Sequence, residues 1–406
     1  MSDSVTVRFL DRTTAPHIAT LTILAGVSAM IMNMFLPSLN NMAAHFDVPY
    51  SVIQLSVPVY LGASAILQII IGPLSDKYGR RPVLLWGLSL FVVASFGCLI
   101  APNIETFLFF RTMQACAAVA MVLSRAAIRD LYDENKSASM IGYVTMGMAV
   151  VPMASPAVGG LLDEIFGWRA VFWFFAMAGI ATWFLTFFDF RETARASDKT
   201  VWQQFREYPE LLRSPRFWGY SSAAAFCSGS FFAYLGGAPF VGSELFGLSP
   251  AVLGMYFGAP AIGYAFGNYL TGRYAMKHGV NYLVLWGSIM NAAGVTLSLI
   301  LFSIGQGTAF VFFGLMTCVG VGNGLVIPNA TAGLLSVRPH LAGSASGLGG
   351  AIMIGGGAVL AAMAGALLTP ETGAFPLLWI QTSTGVLALV SIATVYWREH
   401  RLGQAA

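Results

Sequence analysis

Charge is what this sequence has least of. Asp, Glu, Lys and Arg make up 10% of its 406 residues, where soluble domains carry roughly 25%. A chain that is 57% hydrophobic cannot clothe itself in polar surface, which excludes a soluble globular protein. Cysteine is scarce too. Cys98, Cys116, Cys227 and Cys318 all sit inside apolar runs. Disulfide frameworks and zinc sites need paired, loop-borne spacing, so neither is expected. His17, His45, His278, His340 and His400 lie away from the centres of the apolar runs, and there is no HExxH or Gly-x-Ser-x-Gly. A membrane-embedded enzyme would lack its base and its nucleophile. "GVGNG" at 320–324 lies within an apolar run with no strand before it, so it is no nucleotide loop. No enzymatic activity, cofactor, metal or nucleic-acid partner is expected. The first sixteen residues are polar and the first apolar run is long enough to stay in a bilayer, so a cleaved leader is not expected.

Long apolar runs are what the sequence has. Twelve can cross a bilayer, near 17–39, 51–74, 82–100, 104–128, 137–161, 169–190, 217–241, 250–275, 281–302, 308–334, 342–368 and 375–397. They lack period-two alternation, which argues for helices over a barrel. All but three of the 21 basic residues fall on the face that an even span count assigns to both ends of the chain; the exceptions are Arg111, Arg125 and Arg169. The positive-inside rule makes that face cytoplasmic. The expected fold is therefore an all-α membrane protein of twelve transmembrane helices, multi-pass in the cell inner membrane.

The polar stretch "RETARASDKTVWQQFREYPELLRSPR" (191–216) divides the spans six and six. Residues 1–190 and 217–406 are read as two bundles and 191–216 as a cytoplasmic linker. The halves resemble each other: "GPLSDKYGRRPVLLWG" (72–87) overlies "GRYAMKHGVNYLVLWG" (272–287) at an offset of 200, each joining the second and third spans of its half. A parallel repeat of two six-helix halves is one architecture of transporters.

"GPLSDKYGRRP" (72–82) resembles the Gly-x-Leu-x-Asp-x-x-Gly-Arg-Arg loop signature of the major facilitator superfamily. "RTMQACAA" (111–118) resembles its fourth-helix Arg-x-x-Gln pattern, with Ala115 in place of a glycine. "VPMASPAVGG" (151–160) resembles the fifth-helix motif of its exporters. "HLAGSASGLGG" (340–350) and "GAPFV" (237–241) resemble the bicyclomycin and chloramphenicol resistance branch. The resemblance implies a secondary transporter that moves small organic molecules outward by alternating access, with multidrug efflux and antibiotic resistance as its setting. Uptake or facilitated diffusion of a small polar nutrient is the alternative. The chain is read as a monomer whose partners are the substrate, the bilayer and, by resemblance, protons.

Gly72, Asp76, Gly79, Arg80 and Arg81, with Asp130, are read as a conformational latch; a topology anchor is the alternative. The resemblance implies that Asp76 meets the N-terminus of the helix starting near Leu341 and that Arg80 pairs with Asp130. Pro152 and Pro156 bend the fifth helix and Gly159 and Gly160 let a neighbour approach, so that this helix seals one side of the pathway; ordinary packing is the alternative. A charge at mid-bilayer costs about 2.5–3.5 kcal/mol, so Arg111 is assigned to the substrate cavity; bonding to backbone carbonyls of the first helix is the alternative. Asn33 stands where this exporter branch commonly has an aspartate. An amide carries no proton, which points to neutral or anionic cargo and puts proton antiport in question. Gln54 and Tyr234 complete the expected cavity, whose groups would orient a drug-sized molecule.

Overall fold

Apolar runs become helices in lipid because a helix satisfies its own backbone groups. The computed structural model describes residues 7–131, 144, 151, 154–194, 208–338, 342–401 and 403, and every regular element among them is helical. The first half contains α1 (Ile18–Phe46), α2 (Tyr50–Tyr78), α3 (Arg80–Ile100), α4 (Ile104–Ile128), α5 (154–166) and α6 (Arg169–Asp189). The second contains α7 (Pro215–Leu245), α8 (Gly258–His278), α9 (Val280–Ser303), α10 (Ala309–Ser336), α11 (Ala342–Leu367) and α12 (Phe375–Arg401). Ten of the described helices are long and apolar enough to cross a membrane. The other two are α5, whose expected start lies outside the described residues, and α8, whose Gly, Tyr and Asn content dilutes its hydropathy.

Prolines set the departures from the expected spans. Pro58 and Pro260 withhold the N–H that the carbonyl four residues earlier would accept. The helix breaks at those places, after Ile53 in α2 and at Phe257, which separates a short helix Pro250–Tyr256 from α8. Near Pro37 the chain tightens to a 3-10 turn, Leu36–Ser38, and then continues helical to Phe46, past the expected end of α1. Asn103 and Thr308 cap α4 and α10, accepting from the amides of Thr106 at 2.9 Å and Val311 at 3.2 Å.

The two halves repeat in their packing. In the first, α1 and α2 lie against α4, and α3 against α6; in the second, α7 and α8 lie against α10, and α9 against α12. The turns at the matched glycines also agree. Gly79 has φ 96°, ψ 150° and Gly279 has φ 81°, ψ 163°, a region essentially reserved for glycine. Trp86, Phe166, Trp173, Phe310 and Trp379 point outward, as side chains facing acyl chains do.

The hydrophobic interior is divided unequally. At the end of the bundle away from the 72–82 loop, one core joins both halves: Phe35, Tyr60, Phe107 and Phe172 belong to it together with Tyr234, Phe313, Ala361 and Leu377. At the loop end there are two separate cores. One is built from the first half, around Leu24, Leu84, Leu123 and Phe190, and the other from the second, around Phe217, Val284, Leu334 and Ile392.

Candidate functional site

The halves are fastened at the far end. Among the described residues four hydrogen bonds cross between them, and all four lie there. Tyr50 Oη donates to the Gly236 carbonyl at 3.1 Å and Gln54 Nε2 to the Ala361 carbonyl at 2.6 Å. Asn40 Nδ2 meets Glu244 Oε1, and the Ala251 amide donates to Glu164 Oε2 at 3.3 Å. The described part of the fifth-helix motif packs closely at this end. A Cβ at Gly159 would overlap the Met34 carbonyl of α1, and one at Gly160 would overlap the Pro250 carbonyl of the other half. Gly254 in turn rests on the Pro156 carbonyl. Pro152 lies outside the described residues.

α2 and α11 stay in contact from Gln54 to Gln68 and part only beyond it. A Cβ at Gly365 would overlap Gln54, whereas one at Gly355 would sit 3.8 Å from Ala65 and one at Gly350 3.7 Å from Gln68. At Gly347 and Gly72 nothing lies within 4 Å. Among the described residues the two bundles thus form a V, closed at the far end and parted at the loop end.

Arg111 lines no open space in this state. Its side chain is 0% exposed, in the apolar wall between α1, α2 and α4. Its Nη2 donates to the Ile31 carbonyl at 3.1 Å, Nε to the Ser56 carbonyl at 3.3 Å and Nη1 to Gln114 Oε1 at 2.9 Å. The rings of Phe35 and Tyr60 cover it at 4.1 and 4.4 Å. Gln114 Nε2 passes the network to Ser95 Oγ on α3 at 2.9 Å. A cavity-facing position was expected; in this state the guanidinium bonds one backbone carbonyl of α1, Ile31, and one of α2, Ser56, and three acceptors and two ring faces offset its desolvation.

The other expected cavity residues are also enclosed. Asn33 is buried, with Nδ2 turned back to the Ala29 carbonyl at 3.0 Å and Oδ1 unpartnered. Gln54 is buried in the far-end seal, its Oε1 unpartnered. Tyr234 is buried among Phe231, Phe257, Phe312 and Phe313, and its hydroxyl has no partner. A buried polar atom without a partner costs about 1–3 kcal/mol.

The loop at 72–82 forms a network inside its own half. Arg80 Nη1 pairs with Asp76 Oδ1 at 2.6 Å and Arg80 Nε with Asp130 Oδ2 at 3.1 Å. Arg81 Nη2 donates to the Phe187 carbonyl of α6 at 3.0 Å. A Cβ at Gly72 would meet nothing within 4 Å, and its carbonyl accepts from Ser75 Oγ at 2.8 Å. The start of α11 that Asp76 was expected to meet adjoins 339–341, outside the described residues, and the ion partner of Asp76 here is Arg80. Sequence reasoning missed Glu192. Its carboxylate accepts from the amides of Arg80 at 2.8 Å and Arg81 at 3.2 Å, satisfying free donors at the N-terminus of α3. Nothing but an acid just past the end of α6 signals it in the sequence. Asp163, at the far end of α5, accepts from Asn41 Nδ2 at 2.7 Å.

Similarity to known proteins agrees with this geometry. The chain is 31% identical to a chloramphenicol resistance protein of Pseudomonas aeruginosa over 91% of its length and 88% of the relative's. It is 28% identical to multidrug resistance protein D of Escherichia coli K12 over 95% and 96%. It is 26% identical to a bicyclomycin resistance protein homologue of Haemophilus influenzae over 96% and 98%. Its backbone matches the crystal structure of a bacterial homologue of the human lysosomal transporter Spinster, with TM-score 0.71 at 15% identity over 94% and 96% of the two chains; this likeness speaks for the fold alone. The Major Facilitator Superfamily model matches residues 21–362. Two repeated helical halves that meet at one end and part at the other are thus those of a multi-pass membrane carrier, and the chain belongs to the Major Facilitator Superfamily.

Proposed function

We propose that this protein exports small organic molecules, drug-like and neutral or anionic, from the cytoplasm by alternating access. One observation carries the reading: a single core joins the halves at the far end while separate cores serve each half at the loop end. Such a molecule can rock about its middle and expose a central site to each side in turn. Residues 1–190 and 217–406 are the rocking bodies and 191–216 the linker between them. The asymmetry of basic residues supports a cytoplasmic loop end and cytoplasmic termini, on which reading the state described is inward-facing. The protein works as a monomer in the cell inner membrane.

Outward direction is supported by the resistance proteins among the relatives. The cargo charge is argued from Asn33, an amide on α1, and from the lack of a carboxylate near the centre of any described span. Proton coupling would then run through a carboxylate elsewhere. Asp163 has a buried oxygen, Oδ1, without a hydrogen-bond partner, and it sits at the closing end. Asn33, Gln54 and Tyr234 receive the cargo as the halves part, and Arg111 holds the wall of the site from behind. The 72–82 loop with Asp130 is the cytoplasmic latch, and Pro152, Pro156, Gly159 and Gly160 form the far-end seal.

The test is expression in an efflux-deficient bacterium, challenged with chloramphenicol, bicyclomycin and cationic dyes. Raised tolerance with lowered intracellular drug is expected for the first two. Increased accumulation would mean uptake, and a spectrum dominated by cations would overturn the cargo assignment.

A further inference from the structure

We infer that the chain holds an anionic membrane lipid by its phosphate at the loop end of the second half. A pocket of about 580 Å³ opens there between the helix Tyr208–Leu212, the start of α7 and the ends of α10 and α12. Four arginines line it, Arg213, Arg216, Arg338 and Arg398, against one acid, Glu210. Two of the four are matched. Arg338 Nε lies 2.9 Å from Glu210 Oε1, and Arg216 Nη2 lies 3.0 Å from Glu399 Oε1. Arg213 and Arg398 form no ion pair among the described residues. Arg216 Nε is buried without an acceptor. Among the described residues the pocket thus carries uncompensated positive charge and a buried donor, beside the positive end of α7. Phosphate oxygens suit such a set, since guanidinium forks bind them bidentately.

The surroundings favour a lipid as the source of that phosphate. Trp218, two residues beyond Arg216, is 43% exposed, and Trp397, next to Arg398, is 60% exposed. Trp218 Nε1 donates to the Leu212 carbonyl at 2.7 Å. Tryptophans of this kind mark headgroup depth. The arginines therefore lie at the level of lipid phosphates, and acyl chains would run down the outer surface of α7 and α12. Basic pockets between transmembrane helices on the cytoplasmic side suit anionic headgroups. Bound there, the lipid would tie the end of the linker, through Arg213, to α12, through Arg398.

The experiment titrates phosphatidylglycerol, phosphatidylcholine and inorganic phosphate into the delipidated full-length protein in detergent, reading the thermal midpoint and lipid retention by native mass spectrometry. Phosphatidylglycerol is expected to raise the midpoint and to stay bound, while phosphatidylcholine does neither. The double variant Arg213→Gln/Arg398→Gln should need roughly thirtyfold more phosphatidylglycerol for the same effect, at about 1 kcal/mol per arginine. Arg398→Lys should restore most of that loss relative to Arg398→Gln, which separates lost charge from lost fold. Equal protection by inorganic phosphate would overturn the lipid assignment. An undiminished response of the double variant would overturn the site. Both readouts are independent of transport.

Discussion

Arg111 shows how far burial changes the meaning of a residue. In sequence it is a charge in an apolar helix, which suggests a ligand. In the fold it is a tie that joins α1, α2 and α4 through the Ile31 and Ser56 carbonyls and Gln114. A lysine is a point charge and cannot span three separated acceptors. Arg111→Lys is expected to lower stability by about 2–3 kcal/mol, measured as a fall in the denaturation midpoint in detergent, with transport falling alongside. An unchanged midpoint would refute the tie. At Asn33 the expectation concerns charge. Asn33→Asp adds a carboxylate at a position that is buried in this state. The variant should shift the exported spectrum toward cations and produce proton release on substrate addition in proteoliposomes. No change in either would mean that residue 33 does not face the cargo.

Among the elements, α3 and α5 make two contacts that can be tested, a helix cap and a close approach of backbones. Four donors at the start of any helix lack partners, and on α3 two of them turn to Glu192, which belongs to the linker. The cap therefore pins the linker to the first half. Glu192→Gln removes the favourable charge at the helix N-terminus, about 0.3–1 kcal/mol. Faster hydrogen exchange at Arg80 and Arg81 is the expected sign. On α5, Gly160 sits against the Pro250 carbonyl, where no side chain fits. Gly160→Leu should wedge the far end apart and favour the outward-open state. A cysteine introduced as Gln54→Cys, at a position with 0% exposure here, would then react faster with a bulky maleimide. Equal labelling with and without the Gly160 change would contradict the seal.

For the whole molecule, the V is the functional statement. Its closed end holds Asn40 against Glu244. Joining these two positions with a short thiol cross-linker, as Asn40→Cys and Glu244→Cys in a background without the four native cysteines, should arrest transport by holding the far end shut. A reducible cross-linker should give the activity back on cleavage. Undiminished transport after complete cross-linking would mean that the far end never opens. Only a state in which the halves exchange open ends can move cargo, because binding from one side and release to the other require the same site to face both.

The helices and their repeat were legible in the sequence because lipid leaves a backbone few choices and because local chemistry signals its own turns. Apolar length located the spans, and Gly79 and Gly279 stood at matched positions before their shared backbone geometry was seen. The divisions of the helices after Ile53 and at Phe257 were not anticipated. The site was less legible. Whether Arg111 faced a cavity or the carbonyls of α1, and what caps α3, depend on contacts between residues as much as 112 positions apart. What the sequence alone determined was solvent: where each segment meets lipid or water is a sum over neighbours in the chain, and composition supplies it. What the tertiary structure decided was partnership, because a hydrogen bond or a close approach of two backbones is settled by packing distances of a few ångströms that no linear spacing encodes.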